Sequence, residues 1–212
     1  MICSHKKRIR IGLNGVLAHR LSAESVVITD GDSDAMVELR KNIVVNRRIH
    51  DGDERDPASA LSAAQLIWGL ESSRAFLENI ATAATATSSS LSSSSQFSII
   101  IASDVIYAAI VIDPLFETVR TLLRKPGGEF WMAFAIRKVP VTIEFVLQKA
   151  RDYGFRYELM DQQEQENGDG EDVEGNPETG PVFIYVFRWD VDGIAEGVGN
   201  DSNTTPAIED EA

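Results

Sequence analysis

One segment constrains this chain more than any other: Ile99-Ile-Ile-Ala-Ser-Asp-Val-Ile-Tyr107. A continuous aliphatic run that stops at an acid and an aromatic is the pattern of a parallel strand buried on both faces, with its last side chains delivered to a crevice at the strand tip. Val26-Val27-Ile28-Thr29-Asp30-Gly31-Asp32 repeats the pattern upstream, again with an acid at the carboxyl end. Two such strands in one sheet, with Asp30 and Asp104 at the same edge, make the arrangement that holds a nucleotide-type cofactor across the top of an open α/β sheet.

The rest of the chain alternates helix and strand patterns. Leu13 to Leu21 reads as a short helix ahead of the strand at 26–30, and Asp32 or Ser33 can cap a helix over Asp34 to Val45. Gln65-Leu66-Ile67-Trp68-Gly69 reads as a short strand. Residues 81–96, Ala/Thr-rich and then Ser-rich, read as a flexible surface insertion before the strand at 97–103. The pattern predicts a helix over Ile112 to Arg124, stopped by Lys125-Pro126-Gly127-Gly128, then a strand over Glu129 to Ile136. A helix over Thr142 to Tyr153 ends at Gly154, and a strand covers Phe155 to Met160. An acidic, Gly-rich loop at 161–180 leads to a last strand, Pro181 to Trp189, and residues 190–212 are expected to be a disordered acidic tail. The fold class expected is α/β, one domain over residues 1–189, with a mostly parallel sheet between helices. No helical pattern joins the two final strands, so the last one is expected to insert antiparallel.

Composition excludes more than it identifies. At 212 residues the chain has one domain's worth of core. No apolar run approaches the roughly 20 residues a membrane helix needs, and the basic start, Met1 to Arg8, is not followed by a signal-peptide pattern. Cys3 is the single cysteine, which suits a reducing compartment. These features predict a soluble intracellular protein, cytoplasmic or also nuclear. The net charge of −13 belongs to the end of the chain: residues 161–212 hold 15 of the 33 acids and only Arg188 as a base. The remaining 18 acids and 19 bases leave residues 1–160 at +1. Without clustered cations, nucleic acid is not an expected partner, and no membrane partner is expected either. His5, His19 and His50 have no ligand spacing, so no metal is expected. No Gly-x-Ser-x-Gly occurs.

An acid ending one strand (Asp30), Leu66-Ile67-Trp68-Gly69, then Asp104-Val105-Ile106-Tyr107 and a closing hairpin occur in a recognisable order. Over residues 11 to about 160 the chain resembles the seven-stranded, S-adenosylmethionine-dependent methyltransferases. Within them it is most similar to the family-16 protein-lysine methyltransferases, the methyltransferase-like group. That resemblance implies a Rossmann-like sheet, S-adenosylmethionine as cofactor and a lysine-bearing protein as substrate; separately, a monomer is expected. It implies that Asp30 takes both ribose hydroxyls, with Gly12, Leu13 and Gly31 beside the cofactor and Trp68 and Ser103 along its adenine and methionine portions. Asp104 and Tyr107 would face the reacting end, as the catalytic pair.

The chain also departs from that group. The family opens with a central strand and a Gly-x-Gly-x-Gly turn; here Gly12 aligns with the last glycine, while the earlier two fall on Arg8 and Arg10. Lys6 to Ile11 stands where the first strand should be, and the expectation is an N-terminally truncated copy with a makeshift strand or none. Two rival readings stay open on these residues. One is a cofactor-deficient relic acting only as a protein-binding module. The other is a nicotinamide-dependent oxidoreductase, disfavoured by the missing Gly-x-Gly-x-x-Gly and by the hairpin ending. Individual residues also have plainer roles: Asp30-Gly31 as a turn pair, Trp68 as packing, and Tyr107 as a loop anchor. Asp104 is harder to dismiss, because an acid at the end of an apolar strand is costly to bury without a partner.

Overall fold

A computed structural model of the chain describes residues 12–48, 61–86, 96–135, 141–163 and 181–191. In chain order the elements are α1 (Leu13–Arg20), β1 (Val26–Asp30), α2 (Ser33–Arg48), β2 (Leu61–Gln65), α3 (Leu70–Ala86), β3 (Ile99–Ser103), α4 (Ile112–Leu122, after a single 3-10 turn), β4 (Glu129–Ala135), α5 (Ile143–Asp152), β5 (Phe155–Gln163) and β6 (Val182–Trp189).

Local chemistry accounts for most of the helix boundaries. Asp32 caps α2: its Oδ1 accepts from the backbone N–H of Asp34 at 2.7 Å and of Ala35 at 3.1 Å. Met36, Leu39 and Ile43, at spacings of three and four, then bury one face of α2 against Ile28 and Leu61. On α4 the buried face is Ile112, Leu115, Phe116, Val119 and Leu122. Thr142 caps α5 through the N–H of Phe145, and Gly154, at φ 83°, turns the chain into β5.

The sheet is split. β1 and β2 pair in parallel, with Val26 opposite Leu61 and Asp30 opposite Gln65. The other four strands run in the order β3-β4-β6-β5, with β3 parallel to β4 and β6 antiparallel to both of its neighbours. Among the described residues no strand joins β1 to β3. The makeshift strand expected near Lys6 to Ile11 lies outside the described residues. The largest core fills the four-stranded sheet against α4 and α5, around Phe116, Phe130, Phe155 and Phe187. A smaller cluster joins the two sheets: Val27 of β1 and Leu66, just past β2, meet Ile100 of β3, Phe97 just ahead of it, Leu122 of α4 and Phe76 of α3.

The antiparallel insertion of the last strand agrees with expectation, and three expectations are corrected. The second strand is Leu61–Gln65, not Gln65–Gly69. Leu61, fully buried, anchors it in the α2 cluster, whereas Ile67, placed mid-strand by its apolar neighbours, is 64% exposed in the turn that follows. Residues 81–86 are not part of a loop insertion but the last turns of α3, and 87–95 lie outside the described residues. β5 runs on to Gln163, three residues into the acidic loop expected at 161–180, because Asp161, Gln162 and Gln163 pair with Ile184, Phe183 and Val182 of β6.

Candidate functional site

The acids that end β1 and β3 lie at one edge of the fold. α3 leaves the carboxyl end of β2, and its Phe76 packs on Phe97, just ahead of β3, with ring centroids 6.3 Å apart. α4 follows the carboxyl end of β3 and descends to Leu123, which bridges to the same Phe97. Both helices therefore run from carboxyl ends to amino ends, which makes the strands of the two sheets point the same way. Asp30 and Asp104 share the carboxyl edge, in different sheets.

Asp30 is 2% exposed. Its Oδ1 accepts the N–H of Asp32 at 2.9 Å, an Asx-type turn that fixes the carboxylate. Its Oδ2 is buried with no hydrogen-bond partner among the described residues. A buried acceptor left unmatched costs roughly 1–3 kcal/mol, more when charged, so a ligand hydroxyl there would satisfy it. The surrounding turn is tied down: the N–H of Leu66 donates to the carbonyl of Asp30 at 2.9 Å, and Gln65 Nε2 donates to the carbonyl of Gly31 at 2.9 Å. Gly31 is half-buried against the Leu66–Ile67 backbone.

Gly12 is buried at the head of α1 with φ 82°, and a Cβ there would come within 2.5 Å of Leu39 Cδ1. Protein packing alone thus demands glycine at that position. Leu13, the next residue, is 56% exposed.

On the other side, Ser103 ends β3, half-buried, opposite Ala133. Asp104 follows in the left-handed region, φ 56°, with its N–H donating to the carbonyl of Ala133 at 3.0 Å. Aspartate tolerates that conformation better than most residues, yet a non-glycine residue held there at a strand tip is a feature that clusters at functional sites. Val105 and Ile106 turn into the core, and Tyr107 stands 52% exposed. Trp68 is half-buried and packs against the large core.

Three residues at this edge escaped sequence reasoning. Thr118 and Ser73, both buried, and Glu117 hold the turn that carries Trp68. The bonds that Thr118 and Glu117 make to Gly69, Leu70 and Ser73 span 45 to 49 residues of sequence, so no local pattern announces them. No group of His, Cys, Asp or Glu able to hold a metal occurs among the described residues, and no helix among them is long and apolar enough to cross a membrane.

No protein-family model matches the sequence, and no curated protein matches it. Solved structures do. A Pyrococcus horikoshii protein described as a transferase is 14% identical with a TM-score of 0.48, over 84% of this chain and 54% of its own. The precorrin-6y C5,15-methyltransferase of Geobacter metallireducens is 11% identical with a TM-score of 0.45, over 82% of this chain and 74% of that one. A SAM-dependent methyltransferase of Methanosarcina mazei is 11% identical with a TM-score of 0.43, over 81% and 86%. The chain thus spans about half the length of the Pyrococcus protein. The architecture itself is mixed α/β and Rossmann-like, with strands and helices alternating along the chain.

Proposed function

We propose that the chain is an S-adenosylmethionine-dependent methyltransferase acting on a lysine side chain of a protein. The observation that carries the cofactor half is Asp30: a buried carboxylate at a strand tip, one oxygen held by the turn and the other unmatched among the described residues. That donor-seeking oxygen fits a ribose hydroxyl. Asp30 would hold the ribose, Gly12, Leu13 and Gly31 would flank it, and Trp68 and Ser103 would line the rest. When bound, S-adenosylmethionine supplies a methyl group already activated on a sulfonium.

The protein's own task is therefore alignment. A lysine amine with an ordinary pKa of about 10.4 reaches the site as an ammonium, which has no lone pair for attack. The Asp104 carboxylate binds and orients that cation, and the exposed ring of Tyr107 offers it a π face. The proton leaves to water before the amine attacks. The protein-lysine half rests on the motif Asp104-Val105-Ile106-Tyr107 and its resemblance to the family-16 group.

The test is transfer of labelled methyl from S-adenosylmethionine into protein extracts, followed by hydrolysis and amino-acid analysis. Labelled methyl-lysine is the expected product. Label in another amino acid or in small molecules would overturn the lysine assignment, and no transfer to any acceptor would overturn the enzyme reading.

A further inference from the structure

The start of α3 is capped from another helix. Gly69, at φ 132°, provides the carbonyl that accepts the helix's first bond, from the N–H of Ser73 at 3.1 Å, but it has no side chain to cap the free N–H groups. α4 provides the missing acceptors. Thr118 Oγ1 accepts the N–H of Gly69 at 2.9 Å, and Glu117 Oε2 accepts the N–H of Leu70 at 3.2 Å. Ser73 Oγ completes the set, 2.7 Å from the carbonyl of Gly69 and 3.1 Å from Thr118 Oγ1. Ser73 and Thr118 are 0% and 5% exposed, so the hydroxyl–hydroxyl bond between them is made where water cannot replace it.

α4 also follows directly on the segment that carries Asp104 and Tyr107. One helix therefore holds both sides of the carboxyl edge: by chain continuity the side with Asp104, and by the borrowed cap the turn with Trp68. We propose that Thr118, assisted by Glu117, is a positioning residue that fixes the Trp68-Gly69 turn for the methyl donor. This rests on the cofactor reading above and adds to it a determinant remote from the ligand.

Calorimetric titration with S-adenosylmethionine tests it on the full chain, alongside hydrogen exchange of the Gly69 and Leu70 amides. Thr118→Val removes the acceptor at nearly constant volume; affinity is expected to fall roughly tenfold and those amides to exchange faster. Thr118→Ser keeps the hydroxyl and is expected to restore affinity to within about twofold of wild type. Val119→Ala, a buried apolar change one residue on, is the control: it lowers melting temperature without moving affinity. Wild-type binding with unchanged affinity in Thr118→Val would overturn the inference alone. So would an affinity loss in Thr118→Val no larger than in Val119→Ala. Absence of binding by the wild type would overturn the cofactor reading and the inference with it.

Discussion

At the scale of single residues, the carboxyl edge is defined by two acids under different constraints. Asp30 is held by burial and by one hydrogen bond from its own turn; Asp104 is held by backbone conformation, at φ 56°. The difference decides which substitutions are informative. Asp104→Ala would mix a backbone penalty of roughly 1–2 kcal/mol with any loss of chemistry, because alanine resists the left-handed region. Asparagine tolerates it. Asp104→Asn is therefore expected to keep the wild-type melting temperature and cofactor affinity while slowing methyl transfer by roughly ten- to hundredfold, through loss of a charged hydrogen bond of about 1.5–3 kcal/mol. Steady-state assays with a lysine acceptor check this; full activity in the variant would remove Asp104 from the mechanism.

At the scale of elements, the antiparallel end of the sheet is fastened by a clasp apart from the site. Arg188 of β6 reaches Glu129 of β4 through Nε at 2.7 Å and Glu158 of β5 at 2.9 Å, and Trp131 Nε1 donates to the second oxygen of Glu129 at 3.0 Å. The hydrogen bond from Arg188, then that from Trp131, holds the Glu129 carboxyl below its ordinary value of 4.5. A carboxylate whose folded pKa is lowered stabilises the fold above its unfolded pKa, and that stability is lost as pH falls through the folded value. Glu129→Gln is expected to melt roughly 2–4 °C below wild type at neutral pH, a screened contribution of about 1 kcal/mol. The gap should close as pH drops below 4.5. A gap that stays constant across that range would assign the loss to packing. A second tie, Lys149 Nζ to Asp113 Oδ1 at 2.8 Å with Tyr153 also donating to that oxygen, joins α5 to α4.

At the scale of the whole molecule, what the sequence announced and what it concealed follow from one distinction. The tips of β1 and β3 were legible because an acid that interrupts an aliphatic run is a local signal, and so was the cap of α2 by Asp32. α3 was not, because Phe76, Leu77 and Ile80 are spread among Glu, Asn and Ala-Thr residues, and the apolar Leu66-Ile67-Trp68 just ahead mimics a strand. What made Leu61–Gln65 a strand instead was pairing with β1 and burial of Leu61, both set by partners far away in sequence. The borrowed cap on α3 was concealed for the same reason. Ile99 and Ile101 of β3, expected to be fully enclosed, are 56% and 41% exposed, and the cluster around Leu66 and Leu122 joins the two sheets.

The proposed function requires a methyl donor gripped at the carboxyl edge through Asp30. Titration of S-adenosylmethionine into the wild type and into Asp30→Asn, which keeps the shape of the side chain, tests this most directly. Saturable binding by the wild type, weakened roughly ten- to hundredfold in the variant, is the predicted result. Equal affinities in the two proteins, or no binding by either, would contradict it.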